Sequence, residues 1–463
     1  MHAIYRTKQL ILLLGDMLFL FIGIMGAFYI RRKGTPTLDE ISTGLFWFSI
    51  LIVLWMVVHY INGMYNIAKH RRKTDVYVTI IQSAVINTLV GVLFFYTIPP
   101  DFFNPKTILL LSILLGYSLL FFWHLLFSNL FANKRFNARL LFIGDTPEMH
   151  ELAEHMYAHP ERGYSLVAWI SPHKQLQKEA FPHTTFYESS KAIRPSVSVH
   201  EIDTVVIAPQ VKGDDIILRE LYDLLFWRTR IISMTSLYEI LTGRIPPHTF
   251  SESWFLDHLQ HASQPIYEHL RRIIDIIIGI CLLLLCIALY PVLALLIRIG
   301  SPGPIIFHQA RVGTGGCTFL LYKFRSMYAL AADGSAETKG VEFAQKNDKR
   351  VTAIGKFLRK SRLDELPQAI NLLKGDISLI GPRPERPEIV RQLEDVMPYY
   401  PVRHIIKPGI TGWAQINQHY TDTIEQSLQK LQYDLYYIKN RSLLLDLSIL
   451  LKTVNVVLRG MGQ

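Results

Sequence analysis

The sequence contains few cysteines, and several familiar catalytic patterns are missing from it. Its 463 residues include three cysteines, Cys281, Cys286 and Cys317, which form no CxxC pair and indicate no disulfide framework. The 17 histidines form no HExxH motif, which argues against a zinc hydrolase. A GxGxxG fingerprint is also absent, so Gly144, after the strand-like residues 139–143, does not indicate a dinucleotide site.

Long apolar runs dominate the chain instead. Half of the residues are hydrophobic and only 19% are charged. Five runs are near the ~20 residues that a membrane-spanning helix requires; they cover residues 9–30, 45–67, 76–98, 107–131 and 273–299. The first is too long for a cleavable signal, and no small-residue cleavage site follows it. We therefore predict an N-terminal four-helix transmembrane bundle over residues 1–136.

Basic residues near the ends of these runs predict the orientation of the bundle. They cluster at residues 6–8, 69–73 and 134–139, and basic loops favour the cytoplasmic side of a membrane. Both ends of the bundle are therefore predicted to face the cytoplasm, although the basic residues 31–33 argue against it. The net charge of +10 is explained by juxtamembrane cations and cations for phosphorylated substrates, so we predict no nucleic-acid partner.

The fifth apolar run contains Pro291, and with its basic flank it forms the predicted re-entrant helix over residues 271–299. Arg271 and Arg272 lie at one end and Arg298 at the other, so neither end has the charge of a translocated segment. Proline removes an amide donor and should kink the helix. We favour a helix that enters the membrane, breaks and returns to the same face. A straight span is the alternative, because spanning helices tolerate proline.

Strand-like and helix-like segments alternate between residues 137 and 250. The strands are predicted at 139–144, 165–170, 203–208 and 230–234, with helices at 148–158 and 214–226. This alternation predicts a parallel, doubly wound sheet. We interpret the domain as a structural or regulatory module, with a nucleotide or effector site as the alternative. The polar residues 251–264 are predicted to be a linker within a C-terminal domain over residues 251–463.

Two adjacent carboxylates, Asp364 and Glu365, lie just before a Leu-Pro step and a short apolar helix. Taken alone, such a pair is most simply a helix cap. The surrounding basic residues are Arg359, Lys360, Arg362, Arg383 and Arg386. Carboxylates ringed by arginines can hold a metal ion and a polyphosphate together.

Two further segments carry candidate functional residues. Lys323 and Arg325 alternate with Phe324 at the end of a strand-like run, so both cations are predicted on one face and Phe324 in the core. Residues 409–413 form a predicted tight turn, for which a purely structural role remains open. The amphipathic residues 443–458 fit either the core or the membrane surface equally well.

The motifs KFRSM, RLDELPQ, KGDISLIGPRPERPE and KPGITGWAQIN occur in this order after the basic-flanked apolar run. Together they resemble the bacterial sugar transferase family, and within it the large polyprenyl-phosphate phosphoglycosyl transferases. The motifs cover about residue 267 to the C-terminus, whereas the rest agrees with the family's long form in layout only. The resemblance implies a multidomain membrane protein with a four-helix bundle, a Rossmann-like α/β middle domain and an α/β catalytic domain containing a re-entrant helix.

In reaction terms, the resemblance implies transfer of sugar-1-phosphate from a nucleotide diphosphate sugar, with a UDP-sugar favoured, to undecaprenyl phosphate in the bacterial inner membrane. UMP would leave, and the step would initiate exopolysaccharide, capsule or O-antigen-type glycan assembly. Asp364 would be the nucleophile that carries the phospho-sugar, and Glu365 would help to hold Mg²⁺. Contacts to substrate phosphate would come from Lys323, Arg325, Arg359 and Arg383, and Pro291 would break the re-entrant helix.

One departure from the family pattern is visible: many relatives have Gly-Arg where this chain has Gln418-His419, so no phosphate contact is carried over there. A non-catalytic membrane scaffold or sensor remains an alternative, although intact acidic and basic residues in every motif argue against it. A transferase with acids between its membrane spans is weaker, because those loops have no acidic cluster. The motifs do not distinguish between sugars, and a homo-oligomer remains open.

Overall fold

The computed structural model describes residues 2–32, 38–65, 73–97, 106–131, 137–160, 163–171, 181–227, 229–259, 264–329, 348, 350–418 and 423–458. It contains two compact units, Met1–Leu241 and Thr242–Gln463. The second unit begins somewhat before residue 251, where the catalytic domain is predicted to start. His419 and most of the basic residues in clusters 69–73 and 134–139 lie outside the described residues.

Four long helices begin the first unit: α1 (His2–Arg32), α2 (Leu38–Asn62), α3 (Lys73–Tyr96) and α4 (Lys106–Phe131). Each contains a stretch long and apolar enough to cross a membrane. Leu20, Trp55 and Leu120 are among the side chains buried between them. A Cβ atom on Gly23 would lie 2.5 Å from the Gly116 Cα, so α1 and α4 pack closely through small residues, as is common in membranes. The predicted apolar helices are present; their transmembrane arrangement stays a prediction.

Polar side chains inside these helices pair with one another. The Asp16 carboxylate lies 2.9 Å from Nε2 of His124 and 3.6 Å from Nδ1 of His59. Nε2 of His59 in turn lies 2.8 Å from the hydroxyl of Tyr117. Polar groups in an apolar bundle need such partners, and these contacts link α1, α2 and α4.

A five-stranded parallel sheet follows, which confirms the predicted parallel α/β region. Its order is β3-β2-β1-β4-β5. The elements are β1 (Ala138–Ile143), α5 (Pro147–Ala158), β2 (Tyr164–Ile170), β3 (Thr185–Tyr187), α6 (Ile193–Val199), β4 (Thr204–Ile207), α7 (Asp215–Leu224), β5 (Arg230–Ser233) and α8 (Met234–Thr242). A Cβ atom on Gly144 would lie 2.5 Å from the Ala208 Cβ, so this glycine permits close packing after β1. The narrower Rossmann-like assignment stays a prediction.

The second unit is built around short strands and many helices. They are α9 (Glu252–Leu259), α10 (Pro265–Gly300), β6 (Ile306–Val312), β7 (Thr318–Phe324), α11 (Ala353–Ser361), α12 (Gln368–Lys374), β8 (Ser378–Ile380), α13 (Pro387–Val396), β9 (Gly409–Thr411), α14 (Trp413–Asn417), α15 (Ile424–Asn440) and α16 (Leu443–Leu458). β6 and β7 form an antiparallel hairpin, and β8 and β9 a parallel pair.

The linker predicted at residues 251–264 is wrong, because most of that segment is α9. Leu259 of this helix is buried in the core of the second unit, and Trp254 and Phe255 pack against the same core. These large apolar side chains give the segment a reason to fold. α16 packs on the core through Ile449, which is fully buried, and leaves Leu444 exposed; its position on a membrane surface stays a prediction.

Helix α10 continues through Pro291. One face of it is buried along the whole length, at Tyr267, Arg271, Asp275, Gly279, Cys286, Leu293 and Ile297. The other faces expose large apolar side chains, including Ile277, Leu284 and Leu295. Any change of direction at Pro291 is therefore a kink within one helix. Its re-entrant course stays a prediction.

Both ends of α10 are anchored to the same unit. Near its start, the Asp275 carboxylate accepts hydrogen bonds from the Ser378 hydroxyl at 2.7 Å and the Leu379 amide at 2.9 Å. After its end, Arg325 donates to the carbonyl oxygens of Ser301 and Pro302 at 2.6 and 2.7 Å. The helix therefore lies along this unit over most of its length.

Candidate functional site

Asp364 and Glu365 lie in a short 3-10 turn, Leu363–Glu365, between α11 and α12. The turn follows Arg362, which ends α11 with a left-handed φ of 59°. Residues other than glycine rarely adopt this conformation. It bends the chain sharply just before the dyad. The helix-cap interpretation is wrong, because Pro367 is the N-cap of α12 and no side chain caps that helix.

Glu365 is the paired member of the dyad. Its Oε1 accepts hydrogen bonds from Nζ of Lys323 and Nη1 of Arg362, both at 3.2 Å. Burial opposes the ionisation of Glu365, but the positive charges of Lys323, Arg362 and Arg383 outweigh it and lower the pKa to about 2. Glu365 is therefore a fixed anion at neutral pH.

Asp364 is the unpaired member. Its side chain is 6% exposed, and its buried Oδ1 has no hydrogen-bond partner among the described residues. Burial raises the pKa of Asp364; Lys323 opposes this rise, and the negative charge of Glu365 adds to it. A buried carboxylate oxygen without a donor is costly for the folded protein. The hydrogen-bonding capacity of this oxygen is used by no residue that the structure describes.

Three of the predicted phosphate-binding cations surround the dyad. Lys323 contacts Glu365 directly. The charge of Arg359 opposes the rise in the pKa of Asp364, and its Nε donates to the Ser326 hydroxyl at 2.9 Å. The charge of Arg383 acts on both Lys323 and Glu365. Its guanidinium makes no hydrogen bond to any residue that the structure describes, which leaves it free for a ligand.

Arg325 is not brought to the dyad. Its guanidinium is occupied by the carbonyl oxygens after α10, and its side chain is 4% exposed. The prediction assumed that the strand continues past Phe324, but β7 ends at that residue. The Arg325 amide still donates to the Ile305 carbonyl at 2.9 Å, but the side chain binds the carbonyl oxygens of Ser301 and Pro302 instead of the dyad. Phe324 is buried, as predicted.

Arg403 holds the loop that carries Arg383, and the motifs gave no sign of it. Its side chain is 1% exposed, pairs with Asp434 at 2.8 Å and donates to the Tyr400 hydroxyl at 2.6 Å. Its Nη2 donates to the carbonyl oxygen of Arg383 at 2.8 Å. Arg311 adds a hydrogen bond to the next carbonyl of the loop at 3.0 Å. The backbone under Arg383 is thus fixed by two buried or half-buried guanidinium groups.

Magnesium at the dyad stays a prediction, with which the residues present are compatible. No group of three or more His, Cys, Asp or Glu side chains with metal-binding geometry occurs among the described residues. Mg²⁺ is commonly bound by one or two carboxylates together with waters and substrate phosphates. The unpaired Oδ1 of Asp364 beside the anionic Glu365 matches such a donor set.

We predict that Asp364→Asn raises the thermal midpoint of the full-length protein at pH 7, because it removes a buried charge. The pKa of Asp364 is higher in the folded state than in the unfolded state. Its charge therefore costs stability in full above the folded-state pKa and not at all below the unfolded-state pKa. The gain from Asp364→Asn should accordingly disappear at acidic pH. Each kcal/mol gained corresponds to roughly 2–4 °C. Differential scanning fluorimetry in detergent measures it.

The matched control for this prediction is Asp395→Asn, which removes an exposed carboxylate from α13. It should leave the midpoint unchanged. A lower midpoint for Asp364→Asn at pH 7 would show that the carboxylate stabilises the fold.

Comparison with known proteins places this site in a family. The sequence model of the family described as bacterial sugar transferase matches residues 266–460. A UDP-N-acetylgalactosamine-undecaprenyl-phosphate N-acetylgalactosaminephosphotransferase of Aeromonas hydrophila is 43% identical over 239 residues, 50% of this chain and 53% of the relative.

Two UDP-glucose:undecaprenyl-phosphate glucose-1-phosphate transferases are also similar. The protein of Escherichia coli K12 is 43% identical over 187 residues, 40% of this chain and 39% of the relative. That of Caulobacter vibrioides is 39% identical over 186 residues, 40% of this chain and 68% of the relative. The matched regions thus span about half or less of the first two relatives but two thirds of the third. The chain belongs to the bacterial sugar transferase family.

Proposed function

We propose that the protein transfers sugar-1-phosphate from a UDP-sugar to undecaprenyl phosphate and releases UMP. The observation that carries this proposal is Asp364, a buried carboxylate with an unpaired oxygen beside the anionic Glu365. Lys323, Arg359 and Arg383 supply positive charge around it. The names of the three relatives all describe transfer of a sugar phosphate to undecaprenyl phosphate.

Asp364 is the nucleophile of the first step. A carboxylate is a weak nucleophile, but it needs no general base once it is ionised. One of its oxygens forms a bond to the phosphorus that bears the sugar. The bond from that phosphorus to the bridging oxygen breaks, and UMP leaves with the electron pair. The sugar phosphate remains on Asp364 as an acyl phosphate.

The surrounding cations make this attack feasible. Phosphoryl transfer depends mainly on positioning and on neutralising negative charge, and the carboxylate must approach an anionic diphosphate. Lys323, Arg359 and Arg383 cancel that repulsion, and Arg383 has donors free to bind a phosphate oxygen. Mg²⁺, when held by Asp364, Glu365 and the substrate, would neutralise further charge on the diphosphate.

The lipid acceptor completes the second step. A phosphate oxygen of undecaprenyl phosphate attacks the same phosphorus, and the bond to Asp364 breaks to regenerate the carboxylate. Leu366, directly after the dyad, packs in one apolar cluster with Leu293 and Ile297 of α10. The dyad therefore lies beside the helix whose exposed apolar faces suit lipid, which is where a lipid phosphate can reach it.

This chemistry fits a multi-pass protein of the bacterial inner membrane with its dyad on the cytoplasmic side, where nucleotide sugars occur. The product would be the first lipid-linked sugar of an exopolysaccharide, capsule or O-antigen-type glycan. A non-catalytic scaffold has less support, since the structure assembles the carboxylates and three cations of the motifs at one site.

The direct test measures UMP release by the full-length protein with Mg²⁺, undecaprenyl phosphate and a panel of UDP-sugars. Asp364→Asn should abolish release, because no nucleophile remains. Glu365→Gln should lower the rate and increase the Mg²⁺ concentration required. Full activity of Asp364→Asn would refute the covalent mechanism, and absence of UMP release from the wild type with every donor would refute the function.

The contacts of Arg403 predict that Arg403→Lys lowers kcat by about 10- to 100-fold, the cost of a small misplacement of reacting groups. Lysine keeps the charge but loses the planar fork that joins Asp434 to the carbonyl of Arg383. The KM for undecaprenyl phosphate should not change.

Asp434→Asn should have a similar effect, and the double variant should be no worse than the single variants, because both act on one contact. Arg219→Lys, an exposed position on α7, is the control. Additive losses in the double variant, or an unchanged kcat in Arg403→Lys, would contradict this role.

The re-entrant course of α10 can be tested with single cysteines at either end. The native Cys281, Cys286 and Cys317 are replaced by serine, and His269→Cys or Pro304→Cys is introduced at an exposed position. If the helix returns to its own side, both are labelled by a membrane-impermeant maleimide from the cytoplasmic face only. Labelling of the two from opposite faces would show that the helix spans the membrane.

A further inference from the structure

A cavity of about 410 Å³ lies at the far end of the β6–β7 hairpin from Lys323. Its walls come from the turn of the hairpin, from α13 and from the 3-10 turn Tyr400–Ile405. Small-molecule sites typically have volumes of ~300–1,000 Å³. The cavity is therefore large enough for part of a substrate, and no step of the mechanism above uses it.

The cavity adjoins the loop that carries Arg383. Pro387 lines the cavity and begins α13 shortly after that arginine. The Val312 amide, at the hairpin end, donates to the Glu385 carbonyl at 2.9 Å. Thr318 lines the cavity at one end of β7, and Lys323 lies near the other end, five strand residues or roughly 17 Å away. A long ligand with its phosphates at Lys323 and Arg383 could thus extend to the cavity.

The side chain of His404 lines the cavity, and its Nε2 is buried beneath that wall. Its side chain is 9% exposed, and its buried Nε2 has no hydrogen-bond partner among the described residues. Burial and the neighbouring charge of Arg403 lower the pKa of His404 to about 4, so the ring is neutral at physiological pH. A neutral imidazole offers a single donor or acceptor at that nitrogen, which suits an uncharged heterocycle better than a phosphate.

We propose that this cavity binds the nucleoside part of the nucleotide diphosphate sugar, with the His404 side chain beside the base. The inference rests on the proposed function and extends it. Val390 supplies an apolar wall for a flat ring, and Arg391 and Glu394 supply charged groups for the ribose hydroxyls. The diphosphate then lies along Arg383 and Lys323, and the sugar lies on the dyad side, away from the cavity.

The test compares a ligand that has a nucleoside with one that lacks it. Binding of UMP and of inorganic pyrophosphate to the full-length protein in detergent is measured by isothermal titration calorimetry with Mg²⁺. Thr318→Trp puts a large ring into the cavity from an exposed strand position, where an aromatic residue is well tolerated. It should weaken UMP binding by about tenfold or more and leave pyrophosphate binding unchanged.

Thr314→Trp is the matched control, since Thr314 is an exposed threonine of the same hairpin that does not line the cavity. It should change neither affinity. His404→Ala should weaken UMP binding as Thr318→Trp does, whereas His404→Gln, which keeps a polar side chain, should retain more of it. Unchanged pyrophosphate binding in each variant shows that the phosphate site is still folded.

The results separate this proposal from the proposed function. If Thr318→Trp and His404→Ala bind UMP as the wild type does, or lose UMP and pyrophosphate equally, the cavity is not the nucleoside site. Failure of the wild type to bind UMP would overturn it as well. A different outcome would refute the proposed reaction alone. In that case the cavity variants weaken UMP binding without changing pyrophosphate binding, but the wild type produces no UMP from any UDP-sugar. The nucleoside site would then stand.

Discussion

The burial of two adjacent carboxylates is the constraint on which the second unit depends. Two neighbouring carboxylates that are partly removed from water cannot both stay ionised unless nearby positive charges compensate them. The structure supplies that compensation unequally: Glu365 receives two hydrogen-bonded cations, while Oδ1 of Asp364 receives none among the described residues. The pKa values of the two neighbours therefore move in opposite directions. Carboxyl pairs whose pKa values are pushed apart commonly have separate chemical roles.

The compensating cations come from three separate parts of the chain, which explains why the surrounding loops are so tightly held. Gly381 and Gly409 illustrate this: a Cβ atom on Gly409 would lie 2.0 Å from the amide nitrogen of Gly381. The Gly381 amide also donates to the carbonyl of Thr411 at 2.8 Å. The tight turn predicted at residues 409–413 is wrong, because the segment is strand β9 followed by the extended Gly412 and the start of α14. This segment packs directly against the start of the Arg383 loop. Its part in the site is to let two backbones approach.

Some site residues could be predicted from the sequence and others could not, depending on how far apart in the chain their contacts lie. The dyad, Lys323, Arg359 and Arg383 could be found because each lies in a short motif with its own local pattern. Arg403 and Asp434 are 31 residues apart and meet only in the folded chain, so no local spacing reveals them. The side chain of Arg325 binds carbonyl oxygens 23 and 24 residues earlier in the chain, a contact that local alternation does not predict. Strand β3 was missed because its three residues are too few to show alternation.

The composition of the site favours two successive steps over direct transfer. Direct transfer would require the diphosphate of the donor and the phosphate of the acceptor to lie among the same few cations at once. If Asp364 first takes the sugar phosphate, UMP departs before the lipid phosphate arrives, and one set of cations serves both steps in turn. In the proposed mechanism, the apolar contact of Leu366 with α10 would keep a phosphorylated Asp364 beside the helix along which the lipid would approach.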